Sequence, residues 1–232
     1  MFGRLETIVN QWGRLRLTGA RALARALAAT VFPPRCCLCG FAGASLDLDL
    51  CAVCHADLPW ERSLGGPLVA LRYEHPVDEL IRRLKYQGAI AYARVLGVLL
   101  AQAARKRGDC LPALLVPVPL HATRWRERGF NQAAALARYA GLMLDIPVAR
   151  HALIRVRDTV SQTALARDAR QRNVSDAFAP GNARACARLL AAGHVAIVDD
   201  VMTTGSTLNA ARSVLLAAGL RRVDLWAAAR AE

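Results

Sequence analysis

No apolar run in this chain approaches the ~18 residues that a membrane span needs. The longest candidates, such as Val95–Leu100 and Val195–Val198, have the length of core segments. No apolar core precedes a small-residue cleavage site, so secretion is not expected. Histidine is scarce, with five residues in all, and none stands beside a candidate nucleophile. A Ser-His or Cys-His hydrolase is therefore unsupported, and His151 and His194 read as structural or exposed. Acids are outnumbered: 18 Asp and Glu face 31 Lys and Arg, a net charge of +13. That excess points to phosphates, nucleic acid or an acidic membrane surface without choosing among them. There is no internal repeat and no low-complexity tract.

Apolar residues, by contrast, make up 54% of the 232 residues, with a mean hydropathy of +0.22. This is ample for a buried core in one domain, or one domain with a small appendage, and confines disorder to the ends. Residues 1 to 35 are arginine-rich, with Leu5, Ile8, Val9, Trp12, Leu15, Leu23 and Leu27 at roughly helical spacing. They read as a basic amphipathic helix ended by Pro33-Pro34: a transit peptide, a membrane-surface helix, or a helix packed on the rest of the protein. From Leu68 onward the pattern becomes α/β. "LVALRYE", "ALLVPVPL", "HVAIVDDV" and "RRVDLWAAA" read as strands. "PVDELIRRLKYQG", "AIAYARVLGVLLAQAARKRG", "NQAAALARYAGLML" and "STLNAARSVLLAAG" read as helices. Residues 150 to 185 are polar and weakly periodic. Strands alternating with helices imply a mostly parallel sheet covered on both faces.

Five of the seven cysteines fall between Cys36 and Cys54. An odd, clustered set is poor evidence for a secreted disulfide framework. Cys36-x-x-Cys39 and Cys51-x-x-Cys54 form two knuckles, each supplying two thiolates to one tetrahedral Zn²⁺. Such a short segment has little core, so the metal would supply its folding energy, on the order of 10 kcal/mol. Cys37 is spare, because Cys37-Leu38-Cys39 is too tight for a knuckle, and His55 has no partner at ligand spacing. A redox pair is the alternative for each C-x-x-C. Cys110 and Cys186 read as plain thiols.

The stretch "VAIVDDVMTTGSTL", Val195 to Leu208, carries the most chemistry. In parallel sheets, ligands sit at the carboxyl ends of strands. A buried strand would deliver Asp199 and Asp200 to that edge. The loop Thr203-Thr204-Gly205-Ser206-Thr207 then enters a helix beginning near Leu208, whose positive end favours a phosphate. Gly205 permits a positive φ and close ligand approach. No lysine follows the glycine, so this is not a Walker P-loop. Carboxylates beside a phosphate cradle suit sugar hydroxyls or a hydrated Mg²⁺. An ordinary strand-to-helix turn is the competing reading.

The stretch resembles the signature of type I phosphoribosyltransferases. "LIRRLKYQG" (80–88), "VPVPLHATRWRERGFNQ" (116–132) and "SQTALARDARQRNVSDAF" (161–178) extend the likeness. With the cysteine segment in front, the order resembles the ComF/GntX family: competence protein F-like proteins with a phosphoribosyltransferase domain and an N-terminal zinc finger. The resemblance covers about residues 30 to 230.

It implies an α/β type I phosphoribosyltransferase core, a parallel sheet flanked by helices, with a small N-terminal zinc-binding module. The division would be a basic helix at 1–35, a double-zinc-ribbon-like module at 36–62 and a phosphoribosyltransferase domain at 63–232. Asp199 and Asp200 would be catalytic and take the ribose hydroxyls of phosphoribosyl diphosphate. Val201, Met202, Thr203, Thr204, Gly205, Ser206 and Thr207 would complete that site. Leu120, His121, Ala122 and Thr123, flanked by Arg124 and Arg128, would hold diphosphate. Arg126 points away from its neighbours and reads as solvated. Gly129-Phe130-Asn131-Gln132 reads as a turn, an apolar anchor and an N-cap. Gln162, Arg170 and Asn173 would belong to a flexible closing loop, facing substrate or capping the loop.

The implied cofactors are Mg²⁺ and Zn²⁺, and the implied location is the cytoplasm. Partners expected are phosphoribosyl diphosphate or a nucleotide, single-stranded DNA, DNA-uptake proteins and a second copy in a homodimer. Arginines interleaved with Trp125 and Phe130 suit single-stranded DNA as well as diphosphate. Three functions stay open: transfer of ribose 5-phosphate to an acceptor, nucleotide sensing with DNA binding, and a redox-responsive zinc protein.

Overall fold

The computed structural model describes residues 35–42, 48–63, 65–87, 90–157 and 177–231. The expected helix before residue 35 and the loop residues Gln162, Arg170 and Asn173 lie outside them. The chain divides into two compact units between Asp57 and Leu58. The sequence places that boundary after residue 62; residues 58–62 instead pair with the second unit. Trp60 bridges Leu71, Arg72 N–H donates to Pro59 O at 2.8 Å, and Glu61 N–H donates to Ala70 O at 3.0 Å. The break therefore follows the hydrogen bonds rather than the composition.

The described part of the first unit is a small cysteine-centred turn structure. Arg35 and Ala42 form an antiparallel bridge around a tight turn, which Gly40 closes in the left-handed region at φ +74°. A short helix α1 (Ala52–Ala56) starts at Cys51, whose sulfur accepts from the Cys54 N–H at 3.4 Å.

The second unit runs β1 (Leu68–Arg72), α2 (Val77–Tyr86), α3 (Ile90–Arg107), β2 (Leu114–Pro117), α4 (Ala122–Arg128) and α5 (Gln132–Leu144). It continues with β3 (Leu153–Arg155), β4 (Phe178–Pro180), α6 (Ala183–Ala192), β5 (His194–Met202), α7 (Ser206–Ala217) and β6 (Arg222–Arg230). Four strands form a sheet in the order β1-β6-β5-β2, and every ladder in it is parallel. The central strands are continuously apolar because both their faces are covered. On one face Leu208, Ala211 and Leu215 of α7 pack with Val195, Ile197, Val223 and Leu225. Strand alternation turns Ala196, Val198 and Trp226 to the other face, where α3 and α5 lie. Those two helices approach closely at Gly97, where a Cβ would sit 2.7 Å from Leu136 O.

At the two ends of residues 150 to 185, β3 and β4 pair antiparallel, and α6 follows, capped by the Asn182 side chain at Ala185 N–H. Only Leu189 of α6 is fully buried, with Ala185 and Ala192 partly buried beside it on the same face. α4 has no buried residue. Among the described residues, no helix is long and apolar enough to cross a membrane.

Candidate functional site

Because all four strands run the same way, the loops after β2 and β5 emerge at one edge of the sheet. These strands are neighbours, and their following helices take opposite faces, which opens a crevice between the loops. A cavity lies there. Val118, Leu120, Arg124, Arg128 and Gln132 line it from the β2 side; Asp199 to Thr203 and Gly205 to Leu208 line it from the β5 side. Lys85 from α2 and Arg155 from β3 complete it.

The acid pair ends the buried run of β5. Asp200 accepts from Lys85 Nζ at 2.9 Å and from Val201 N–H at 2.9 Å; Asp199 accepts from Asp200 N–H at 2.9 Å. Burial, and then the charge of Asp200, push the Asp199 carboxyl up to about 8. Burial acts on Asp200 too, but the Lys85 ammonium and its hydrogen bond outweigh it and hold Asp200 below the usual carboxylate range. Burial works against the Lys85 charge, and the pull of Asp200, then of Asp199, overcomes it. Asp199 thus holds its proton more tightly than an ordinary carboxyl, while Asp200 is ion-paired with Lys85.

The hydroxyl loop follows directly. Gly205 sits at φ +76° as the N-cap of α7 and supplies no capping side chain. A left-handed residue here lets the chain turn from strand to helix in few residues. α7 begins at Ser206, as the reading of "STLNAARSVLLAAG" as a helix has it, two residues ahead of the start near Leu208 given with the loop. Thr204 Oγ1 and Ser206 Oγ lie 2.6 Å apart. The start of a helix, hydroxyls and a glycine thus share one wall, an arrangement suited to phosphate oxygens.

On the opposite wall α4 presents Arg124 and Arg128, one turn apart, while Arg126 is exposed and does not line the cavity. His121 caps α4, and its Nδ1 accepts from Thr123 N–H at 3.4 Å. Neither His121 nor Thr123 is among the residues lining the cavity. Gly129 ends α4 at φ +74°, and Asn131 caps α5 through Ala134 N–H at 3.0 Å. The Asn131 amide also donates to Val118 O at 2.9 Å, which ties the start of α5 to the end of β2.

Four polar lining residues, Lys85, Asn131, Gln132 and Arg155, were given no ligand role from the sequence. Lys85 stands in the quoted "LIRRLKYQG" stretch. Arg155 lies over the Phe178 ring, 5.6 Å from its centroid. Gln132 is 2% exposed, and its Oε1 accepts from Arg128 Nη1 at 3.3 Å. Its Nε2 is buried and has no hydrogen-bond partner among the described residues. A buried amide N–H without an acceptor is costly unless a ligand supplies one.

The first unit carries the metal-site candidates. The sulfurs of Cys36, Cys39, Cys51 and Cys54 all lie within 4.8 Å of one another, and Cys39 and Cys51 are 3.8 Å apart. Zn–S bonds of ~2.3 Å in a tetrahedron put sulfurs about 3.8 Å apart, so the four thiols fit zinc. Burial opposes the Cys36 thiolate, but N–H groups of Cys39, Cys51 and Leu38 outweigh it and lower the thiol to about 6. Burial, and then hydrogen bonds within the cluster, push Cys54 up. Cys37 and His55 stand outside the cluster.

No protein-family profile matches the chain. It is 33% identical over 199 residues to competence protein F of Haemophilus influenzae, covering 83% of this chain and 84% of that protein. It is also 33% identical over 202 residues to DNA utilization protein YhgH of Escherichia coli, covering 79% and 85% respectively. The chain belongs to the family of competence protein F and DNA utilization protein YhgH. A solved structure of the allosteric regulatory enzyme of purine biosynthesis overlaps 57% of this chain and 24% of its own, at 20% identity and TM-score 0.32. That overlap is too slight to carry an argument, and the fold assignment rests on the strand order itself.

Proposed function

We propose that this protein binds phosphoribosyl diphosphate and transfers ribose 5-phosphate to an acceptor, in the service of DNA uptake or use. The observation that carries the reading is the single cavity shared by an acid pair, a hydroxyl-rich helix start and two arginines one turn apart. Thr203 to Thr207 would hold the 5'-phosphate, Asp199 and Asp200 the ribose hydroxyls, and Arg124 and Arg128 the diphosphate. Two carboxylates beside ligand phosphates are a donor set that suits Mg²⁺. Asp199 and Asp200 would hold that ion, which would neutralise charge on the departing diphosphate. The carboxylates themselves stabilise positive charge on the ring as the C1'–O bond breaks. The names of the relatives, competence and DNA utilization, support a role near nucleotides or DNA. Calorimetric titration with phosphoribosyl diphosphate and Mg²⁺, followed by a screen of nucleobases for diphosphate release, tests this. Binding and release that disappear in Asp200→Ala are expected; no binding by the unaltered protein would refute the reading.

A second reading, single-stranded DNA binding, draws on Tyr86 and Trp125, 73% and 51% exposed, beside the arginines of α4. Exposed aromatics next to guanidinium groups suit base stacking and phosphate contact. Salt-sensitive DNA binding that survives Asp200→Ala would favour it.

A further inference from the structure

We propose that Lys85 is the residue by which the cavity selects sugar phosphates bearing an anionic group at the anomeric carbon over those bearing a plain hydroxyl. This rests on the reading that Asp199 and Asp200 take the ribose hydroxyls. The Lys85 ammonium touches Asp200 at 2.9 Å, and only 22% of its side chain is exposed. An ammonium has three N–H donors, so one bond to Asp200 leaves two for a ligand. On a furanose ring the oxygen at C1 lies about one hydrogen-bond length from the hydroxyl at C2. A cation already bonded to the carboxylate that grips the hydroxyl pair is therefore within reach of the C1 oxygen.

Charge argues the same way. Among the described residues lining the cavity, Lys85, Arg124, Arg128 and Arg155 are cationic and Asp199 and Asp200 acidic. Arg128 is close enough to oppose the Lys85 charge. An anionic group at C1 would be attracted by both, where a neutral hydroxyl would not. α2 delivers the ammonium from outside the β5 loop, so the acid pair and the selector come from separate elements.

The test compares ribose 5-phosphate with phosphoribosyl diphosphate, both titrated calorimetrically with Mg²⁺ into the unaltered protein and into Lys85→Met. The unaltered protein should bind both. Lys85→Met should weaken phosphoribosyl diphosphate at least tenfold more than it weakens ribose 5-phosphate, about 1.4 kcal/mol. Lys85→Arg should recover part of that loss. Equal weakening of both ligands would mean that Lys85 acts only as the counter-ion of Asp200, and would overturn the proposal, as would no change in either. Lys85→Gln, which keeps a donor for Asp200 without the charge, gives the same comparison if the methionine variant does not fold. Failure of the unaltered protein to bind either ligand would instead remove the underlying function, and this proposal with it.

Discussion

Replacing Asp199 with asparagine should flatten part of the pH dependence of folding stability. In the folded protein burial and the Asp200 charge push this carboxyl up to about 8. In the unfolded chain it ionises near pH 4. Between those values the unfolded state has released a proton that the folded state still holds. Stability is then full below about pH 4 and falls as pH rises, by up to ~1.4 kcal/mol per pH unit, levelling off above about 8. From pH 6 to pH 8 the loss is roughly 2 kcal/mol. Asp199→Asn has no proton to lose, so its curve lacks this slope. Urea unfolding of both proteins at pH 5 to 9, without added Mg²⁺, gives the two curves. The variant should gain roughly 2 kcal/mol on its parent from pH 6 to pH 8 and nothing further above. A difference that stays level with pH would mean that Asp199 is already charged in the empty site, and the account of the acid pair would fall.

Gln132→Leu removes a buried amide whose Nε2 has no acceptor among the described residues, so folding stability should hold or rise slightly. Phosphoribosyl diphosphate should bind at least several-fold more weakly, because Arg128 loses its acceptor on Gln132 and the ligand loses a donor; undiminished affinity by calorimetry would contradict this. Chelating the metal should expose four further thiols to a colorimetric reagent and release one zinc per chain, and Cys51→Ser should bind zinc far more weakly. Thiols equally reactive before and after chelation would argue against a four-sulfur site.

The features legible in the sequence are those written within a few consecutive residues. A buried run, two acids, hydroxyls and a glycine place β5, its loop and α7 together, since each is bonded to the next. Two C-x-x-C pairs suffice for the cluster because each knuckle is local. Lys85 and Gln132 were harder to find, because nothing near them in sequence announces a ligand: one reaches Asp200 from α2, the other is buried under Arg128. The β3–β4 ladder pairs Leu153 with Pro180 across a long intervening segment, so neither strand carries a turn signal beside it. Arg155 reaches the cavity by that route. Short surface helices such as α4 bury nothing, so no periodicity marks them.

β6 is the last strand of the sheet in sequence, yet it lies between β1 and β5. On a ribosome, β1 must therefore wait, unpaired on its sheet edge, until residue 230 has emerged. The β2–β5 half can pair earlier, carrying the acid pair with it. The first-made strand thus joins last, and a chain arrested before β6 would present two separate strand edges to its surroundings.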